Sequence, residues 1–244
     1  RCSRDWSSDV CSSDLSEADV ASIARAVGES RKVKVLILEG NQITDAGAAA
    51  LAEAVAKSTS LTELFLNNNE ITAAGAAKLA EAVAKSTSLT KLYLGDNQIM
   101  NAGASALAEA VAKSTSLSEL ELYSNQIKDE GAAKLAEAVA KSTSLITQLS
   151  LFNNQITNAG ATKLSAALVR AAKVQRIDLT SYRTTRVGDD ALKAAHAAIE
   201  AIRPTVWLLG RPLPAFARKL TAHRFILERD GDHAIWYRVM EFLA

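Results

Sequence analysis

Side chains suited to proton transfer, metal ligation or nucleophilic attack are scarce in this sequence. Its histidines are His196, His223 and His233, and its cysteines are Cys2 and Cys11. His196 lies among alanines at helical spacing and reads as a surface or partly packed residue, not a base. Asp230, Asp232 and His233 could approach a metal ion. They fit a polar turn equally well, and no further ligand follows at a recognisable spacing. None of the patterns GxxxxGK[ST], GxSxG or HExxH occurs. No catalytic residue, metal or cofactor is therefore expected, and the chain reads as a non-enzyme.

What recurs instead is asparagine. Asn41, Asn69, Asn97 and Asn125 stand 28 residues apart, and Asn154 follows after 29. The extra residue falls at Leu145/Ile146. A further 28 residues lead to Tyr182, where the asparagine is lost. Around each asparagine the sequence reads LxxLxLxxNxI: Val33 to Ile43, then LTELFLNNNEI, LTKLYLGDNQI, LSELELYSNQI and ITQLSLFNNQI. A degraded copy, VQRIDLTSYRT, keeps Val174, Ile177 and Leu179. A buried amide must be hydrogen-bonded. A column of five can satisfy itself by bonding the backbone of neighbouring copies.

Two elements must position this column. The Leu-x-Leu alternation has the period of a strand with one buried face. The second half of each unit, such as ITAAGAAKLAEAVAK, places Leu79 and Val83 four apart among alanines, which is one apolar helix face. Thr72 or its successor is expected to cap that helix, with Glu81 and Lys85 as an i,i+4 pair. Gly47, Gly75, Gly103, Gly131 and Gly160 are expected to mark the turn into each helix. The nonapeptide AEAVAKSTS occurs four times without change, at 52–60, 80–88, 108–116 and 136–144. Such identity suits segments that pack only against their own copies.

The pattern LxxLxLxxNxIxxxGxxxLxxxVxxxx resembles leucine-rich repeats of the ribonuclease-inhibitor type. It is also similar to the repeat regions of NOD-like receptors. The resemblance spans residues 33–202. It implies an α/β solenoid, a right-handed horseshoe with a parallel sheet on the concave side and helices on the convex side. It also implies a fold usually used to bind other proteins.

Variation between copies is concentrated on the concave strand positions. In LTELFLNNN, Leu64 and Leu66 are expected to point inward, and Glu63, Phe65, Asn67 and Asn68 toward the concave face or its rim. One column runs Ile37, Phe65, Tyr93, Glu121, Ser150, Asp178. The next runs Glu39, Asn67, Gly95, Tyr123, Phe152, Thr180. Phe65, Tyr93, Tyr123 and Phe152 thus form a diagonal aromatic stripe. Glu63, Asp96, Glu119 and Glu121 flank it, with Lys91 between them. Aromatics also pack across exposed strands with no partner at all. Rimmed by charge, they are how interfaces anchor one. Replacing Phe65 and Tyr123 with Ala is expected to abolish partner capture and leave thermal unfolding nearly unchanged. Six strands at about 4.8 Å give a face about 25 Å wide, suited to a peptide, a helix or a small domain.

The ends depart from the repeat. Codons for Asp5 to Asp14, read as GAC TGG AGT TCA GAC GTG TGC TCT TCC GAT, resemble a sequencing-library adaptor, so 1–15 is expected to be a non-native tail. Both cysteines fall there, which leaves no disulfide framework or thiolate site and fits a cytoplasmic location. Residues 16–31 fit the helix half of a preceding copy, with Ile23 aligned to Leu51 and Val27 to Val55. The native protein is expected to continue upstream, and the open N-terminal edge to fray or self-associate weakly. The repeat array is expected over 16–202. Residues 203–244 hold seven Arg/Lys against four Asp/Glu together with aromatics. They are expected to cap the last coil. RFILERDGDHAIWYRV reads as a hairpin about Asp230-Gly231, with a helix as the competing reading. Basic and aromatic residues there also raise single-stranded nucleic acid as a minor possibility.

The formal charge of +1 gives no global field for nucleic acid or an acidic membrane. No apolar run approaches the ~20 residues of a membrane-spanning helix. A protein or peptide is the expected partner, with no nucleic acid and no membrane. The expected function is recognition, as a fragment of an intracellular sensor or scaffold. Two alternatives are open. Proteins that activate the nuclear-transport GTPase share this repeat type, although none of their catalytic positions maps here and the acidic tail of animal and yeast members is absent. A structural array expanded by duplication is the other.

Overall fold

The computed structural model describes residues 15–142, 146–157, 159–161 and 163–164 in full. It also describes the backbone of strands Arg176–Asp178, Phe225–Arg229 and Ile235–Val239. The adaptor-like run, the histidines, Asp230, Asp232, Thr180 and Tyr182 lie outside the described side chains. The chain divides into two compact units, Arg1–Ala198 and Ile199–Ala244.

In the first unit, helix and strand alternate: α1 (Glu17–Glu29), β1 (Val35–Ile37), α2 (Asp45–Lys57), β2 (Glu63–Phe65), α3 (Ala73–Val83), β3 (Lys91–Tyr93). They continue as α4 (Met100–Lys113), β4 (Glu119–Glu121), α5 (Asp129–Lys141), β5 (Gln148–Ser150) and β6 (Arg176–Asp178). The strands form one parallel six-stranded sheet in sequence order. Register advances by one repeat per strand: Leu36, Leu64, Leu92, Leu120, Leu149 and Ile177 stand in one row. The 29-residue spacing is absorbed before β5, where Ile146 is buried in the place that Leu117 holds one coil earlier. In the second unit, β7 (Phe225–Arg229) and β8 (Ile235–Val239) pair antiparallel, so the hairpin reading holds over the helical one.

The core is the seam between strands and helices. Leu64, Leu66, Leu92 and Leu94 meet Leu79, Leu107 and the alanines Ala48, Ala76 and Ala104, all essentially without solvent contact. Burying each leucine contributes about 1.5–3 kcal/mol, and no strand–helix pair buries its own leucines without its neighbours. α1 opens with a capping box: Ser16 Oγ accepts from Asp19 N, and Ser16 N donates back to Asp19 Oδ2. The same serine lowers the Asp19 carboxyl below its usual range. Val27 is buried and Ile23 partly so, as the alignment of this helix with α2 expects.

The asparagine column is the ladder the sequence implies. Asn69 Nδ2 donates to Leu38 O (3.0 Å), Leu66 O (3.0 Å) and Asn67 O (3.1 Å). Its Oδ1 accepts from Asn41 N (3.0 Å) and Ile43 N (2.9 Å) in the preceding coil. Asn97, Asn125 and Asn154 repeat this bridging. Asn41 stands at the first described strand. Its Nδ2 donates to Glu39 O, while its buried Oδ1 has no partner. The STS segments add hydroxyl bridges: Ser60 Oγ donates to Ser30 O and Val33 O, and Ser116 Oγ to Ser86 O and Leu89 O. AEAVAKSTS therefore serves coil-to-coil packing.

Two local expectations are corrected. Glu81 pairs with Lys78 (3.7 Å), not Lys85, because α3 stops at Val83 and Lys85 lies beyond its last turn. The i,i+4 pair forms in α2 and α5, as Lys57–Glu53 (3.3 Å) and Lys141–Glu137 (3.9 Å). The recurring glycines lie inside the first helical turn, not before it, and the reason is space. A Cβ on Gly75 would sit 2.5 Å from Asp45 Oδ1.

Candidate functional site

The candidate site is the solvent face of the sheet. Strand alternation sends Leu64, Leu92, Leu120 and Leu149 into the core. Their neighbours Glu63, Phe65, Lys91, Tyr93, Glu119 and Glu121 face outward and are half-buried. Phe65 and Tyr93 register side by side on β2 and β3 and stack with centroids 4.3 Å apart and planes 12° from parallel. Tyr123 and Phe152 follow β4 and β5 and stack at 4.6 Å and 4°. The stripe is thus two separate stacks, because Tyr93 registers with Glu121 and the second pair sits two residues further along the chain. All four rings stay partly open to solvent.

Gly95 explains the offset. A Cβ there would lie 2.0 Å from Tyr123 Cε1 and 2.1 Å from Cζ, so the ring lies across backbone that carries no side chain. Gly95 is itself pinned, since its N–H donates to Asn67 Oδ1 at 2.8 Å. Asn67 is accordingly buried. That corrects its expected place at the rim: it is a strut under the site, held inward by the Gly95 amide.

Charge is organised around the rings. Lys91 bridges Glu63 (3.4 Å) and Glu119 (3.7 Å). Glu119 also accepts from the Tyr93 hydroxyl at 3.0 Å, and Glu121 accepts from Gln148 Nε2 at 3.2 Å. Burial, then the Glu119 hydrogen bond and the charges of Glu119, Glu121 and Glu63, push the Tyr93 hydroxyl pKa well up. Tyr123 is pushed up to about 12, by burial first and then by Asp96, Glu39 and Glu121. Both phenols are neutral donors at physiological pH.

Asp96 has a backbone role beside its charge. Gly40, Asn68, Asp96, Ser124 and Asn153 hold one position in successive coils, and all have φ between 50° and 71°. Asn, Asp and Gly tolerate this left-handed region best. The column is legible in the sequence once the turn is known to need it.

A second bridge escaped sequence reasoning. Asp45 Oδ1 accepts from Thr72 N (2.8 Å) and Gly75 N (2.9 Å), and its Oδ2 accepts from Thr72 Oγ1 (2.6 Å). Asp129 does the same for Thr157. The expected Thr72 cap is present, with its Oγ1 accepting from Ala74 N. At Ala73 and Met100 this bridge is missing, and α4 begins without a side-chain cap. The signal was an Asp or Asn at three of four equivalent helix-start positions, 45, 101 and 129, with Ala73 the exception.

The leucine-rich repeat family matches residues 29–52, 57–80, 85–108, 113–136 and 144–165. The chain carries a leucine-rich-repeat array. It is an α/β solenoid with its parallel sheet on the concave side. Among solved structures, the array resembles leiomodin-1 actin-binding site 2, with TM-score 0.50 and 12% identity over 77% of this chain and 90% of that one. It also resembles the tropomodulin C-terminal domain of Caenorhabditis elegans, with TM-score 0.50 and 16% identity over 75% of this chain and 93% of that one. At such identities the likeness shows the fold alone. A search of curated proteins finds no match to the sequence. Among the described residues, no helix is long and apolar enough to cross a membrane, and no three His, Cys, Asp or Glu side chains group to hold a metal ion.

Proposed function

We propose that the concave sheet of this leucine-rich-repeat array docks a protein or peptide, with Phe65, Tyr93, Tyr123 and Phe152 as apolar anchors. One observation carries this reading. The helices repeat AEAVAK in coil after coil, whereas the outward strand positions differ and place two solvent-open aromatic stacks amid charge. Packing alone would accept one residue in every coil. Half-buried aromatics ringed by charged groups match the anatomy of interface anchors. The leiomodin segment of similar fold is, by its description, an actin-binding site, which supports protein capture as a use of this architecture. The ribonuclease-inhibitor-like pattern favours an intracellular, cytoplasmic sensor or scaffold.

The test is selection of a displayed random-peptide library on the immobilised chain. Selected peptides should lose binding to F65A/Y123A and keep it on E81A/K85A, which alters only the convex helix side. Equal binding to all three proteins would remove the assignment. The aromatic variants should also lose stability, contrary to the expectation from sequence. Each ring is half-buried and stacked, and breaking a stack costs about 0.5–1.5 kcal/mol.

A further inference from the structure

The aromatic stacks say that something docks; the charges around them say what kind of chain it is. The protein as a whole carries a formal charge of +1. Its concave face is different. Glu39, Glu63, Asp96, Glu119 and Glu121 surround the two stacks, and the cation among them is Lys91, already shared between Glu63 and Glu119 at 3.4 and 3.7 Å. At the far side of the sheet Arg176 and Asp178, one basic and one acidic residue in the sequence, occupy register positions beside Gln148 and Ser150. The surplus is therefore local and negative. It lies where Glu39 and Asp96 are exposed and both carboxylates contribute to the field on Tyr123.

Resting on the docking reading above, we infer that the segment bound on this face is basic: its Lys or Arg side chains lie along the Phe65–Tyr93 and Tyr123–Phe152 rings and pair with Glu39, Asp96, Glu119 and Glu121. Three physical terms act together. Methylene stems of Lys and Arg cover aromatic surface while their heads reach charge. A cation against a Tyr or Phe ring gains about 0.5–1 kcal/mol at an exposed site. Carboxylates beside low-dielectric ring surface attract more strongly than in open water. The same field repels nucleic acid and acidic peptides. A face about 25 Å across accommodates about eight extended residues.

The experiment reads the composition of library peptides selected on the full chain. Peptides whose binding requires the aromatics, being lost on F65A/Y123A, should be enriched in Lys and Arg. Their affinity should fall about tenfold on E39Q/D96N/E121Q, and again as salt rises to about 0.5 M. Asn at position 96 keeps a residue suited to the left-handed backbone there, so this variant changes charge and not the turn. Aromatic-dependent peptides that are neutral or acidic, or that bind the charge-neutralised variant as well as the wild type, would overturn the basic partner and leave the docking face standing. Peptides indifferent to F65A/Y123A would overturn both.

Discussion

Gly95→Ala tests how the Tyr123–Phe152 platform is built, and the structure predicts a change of sign. The new methyl carbon would meet Tyr123 Cε1, Cζ and Cδ1 at 2.0, 2.1 and 2.5 Å. Ordinary carbon contacts lie at about 3.5–4.0 Å, so something must retreat by about 1.5 Å. The backbone is held, because Gly95 N donates to Asn67 and Gly95 O accepts from Asn68 N (2.9 Å) and Asn97 Nδ2 (3.1 Å). The ring must move and abandon Phe152. Overpacking and the lost stack together should cost about 1–3 kcal/mol. In a Tyr123→Ala background the obstacle is gone. Gly95 is not among the positive-φ glycines, so Ala there restrains only the unfolded chain and should stabilise by about 0.4–1 kcal/mol. Urea unfolding of the four proteins, followed by far-UV circular dichroism, measures the cycle. Equal destabilisation by Gly95→Ala in both backgrounds would refute the account of Tyr123 lying on Gly95.

Asn97→Ala should cost about 1–3 kcal/mol, since it strands Ile71 N, while the Leu66 and Leu94 carbonyls keep the amides of Asn69 and Asn125. Asn41→Ala should cost about 1 kcal/mol or less, because its Oδ1 has no partner to lose, and chemical denaturation of the pair checks the difference. Met100→Asn should raise stability by up to about 1 kcal/mol, read as a higher thermal midpoint, because Met100 holds φ 53°, a left-handed backbone that Asn tolerates better. Tyr123 should ionise near pH 12, visible as late-rising tyrosinate absorbance that Tyr123→Phe removes. Its folded pKa lies above the unfolded value of about 10. The unfolded state therefore releases its proton first, and stability holds below about pH 10 and declines up to about 12.

The solenoid was legible because it is periodic. Leucines at period two, an apolar helix face and an asparagine every 28 residues each admit one solution when copies must bury one another's surfaces. The same periodicity placed Phe65, Tyr93, Tyr123 and Phe152 on the solvent side of the strands. It did not separate the two stacks or bury Asn67. Those outcomes depend on distances between coils, and a single repeat contains none of them. Gly95 shows the limit most plainly. In sequence it is one more small residue in a strand-end column. Only when β3 and β4 lie side by side does the tyrosine of the next coil need the space it leaves empty. Repetition, read from sequence, determined which residues face water; lateral packing between coils, present only in the folded array, decided which of those residues touch.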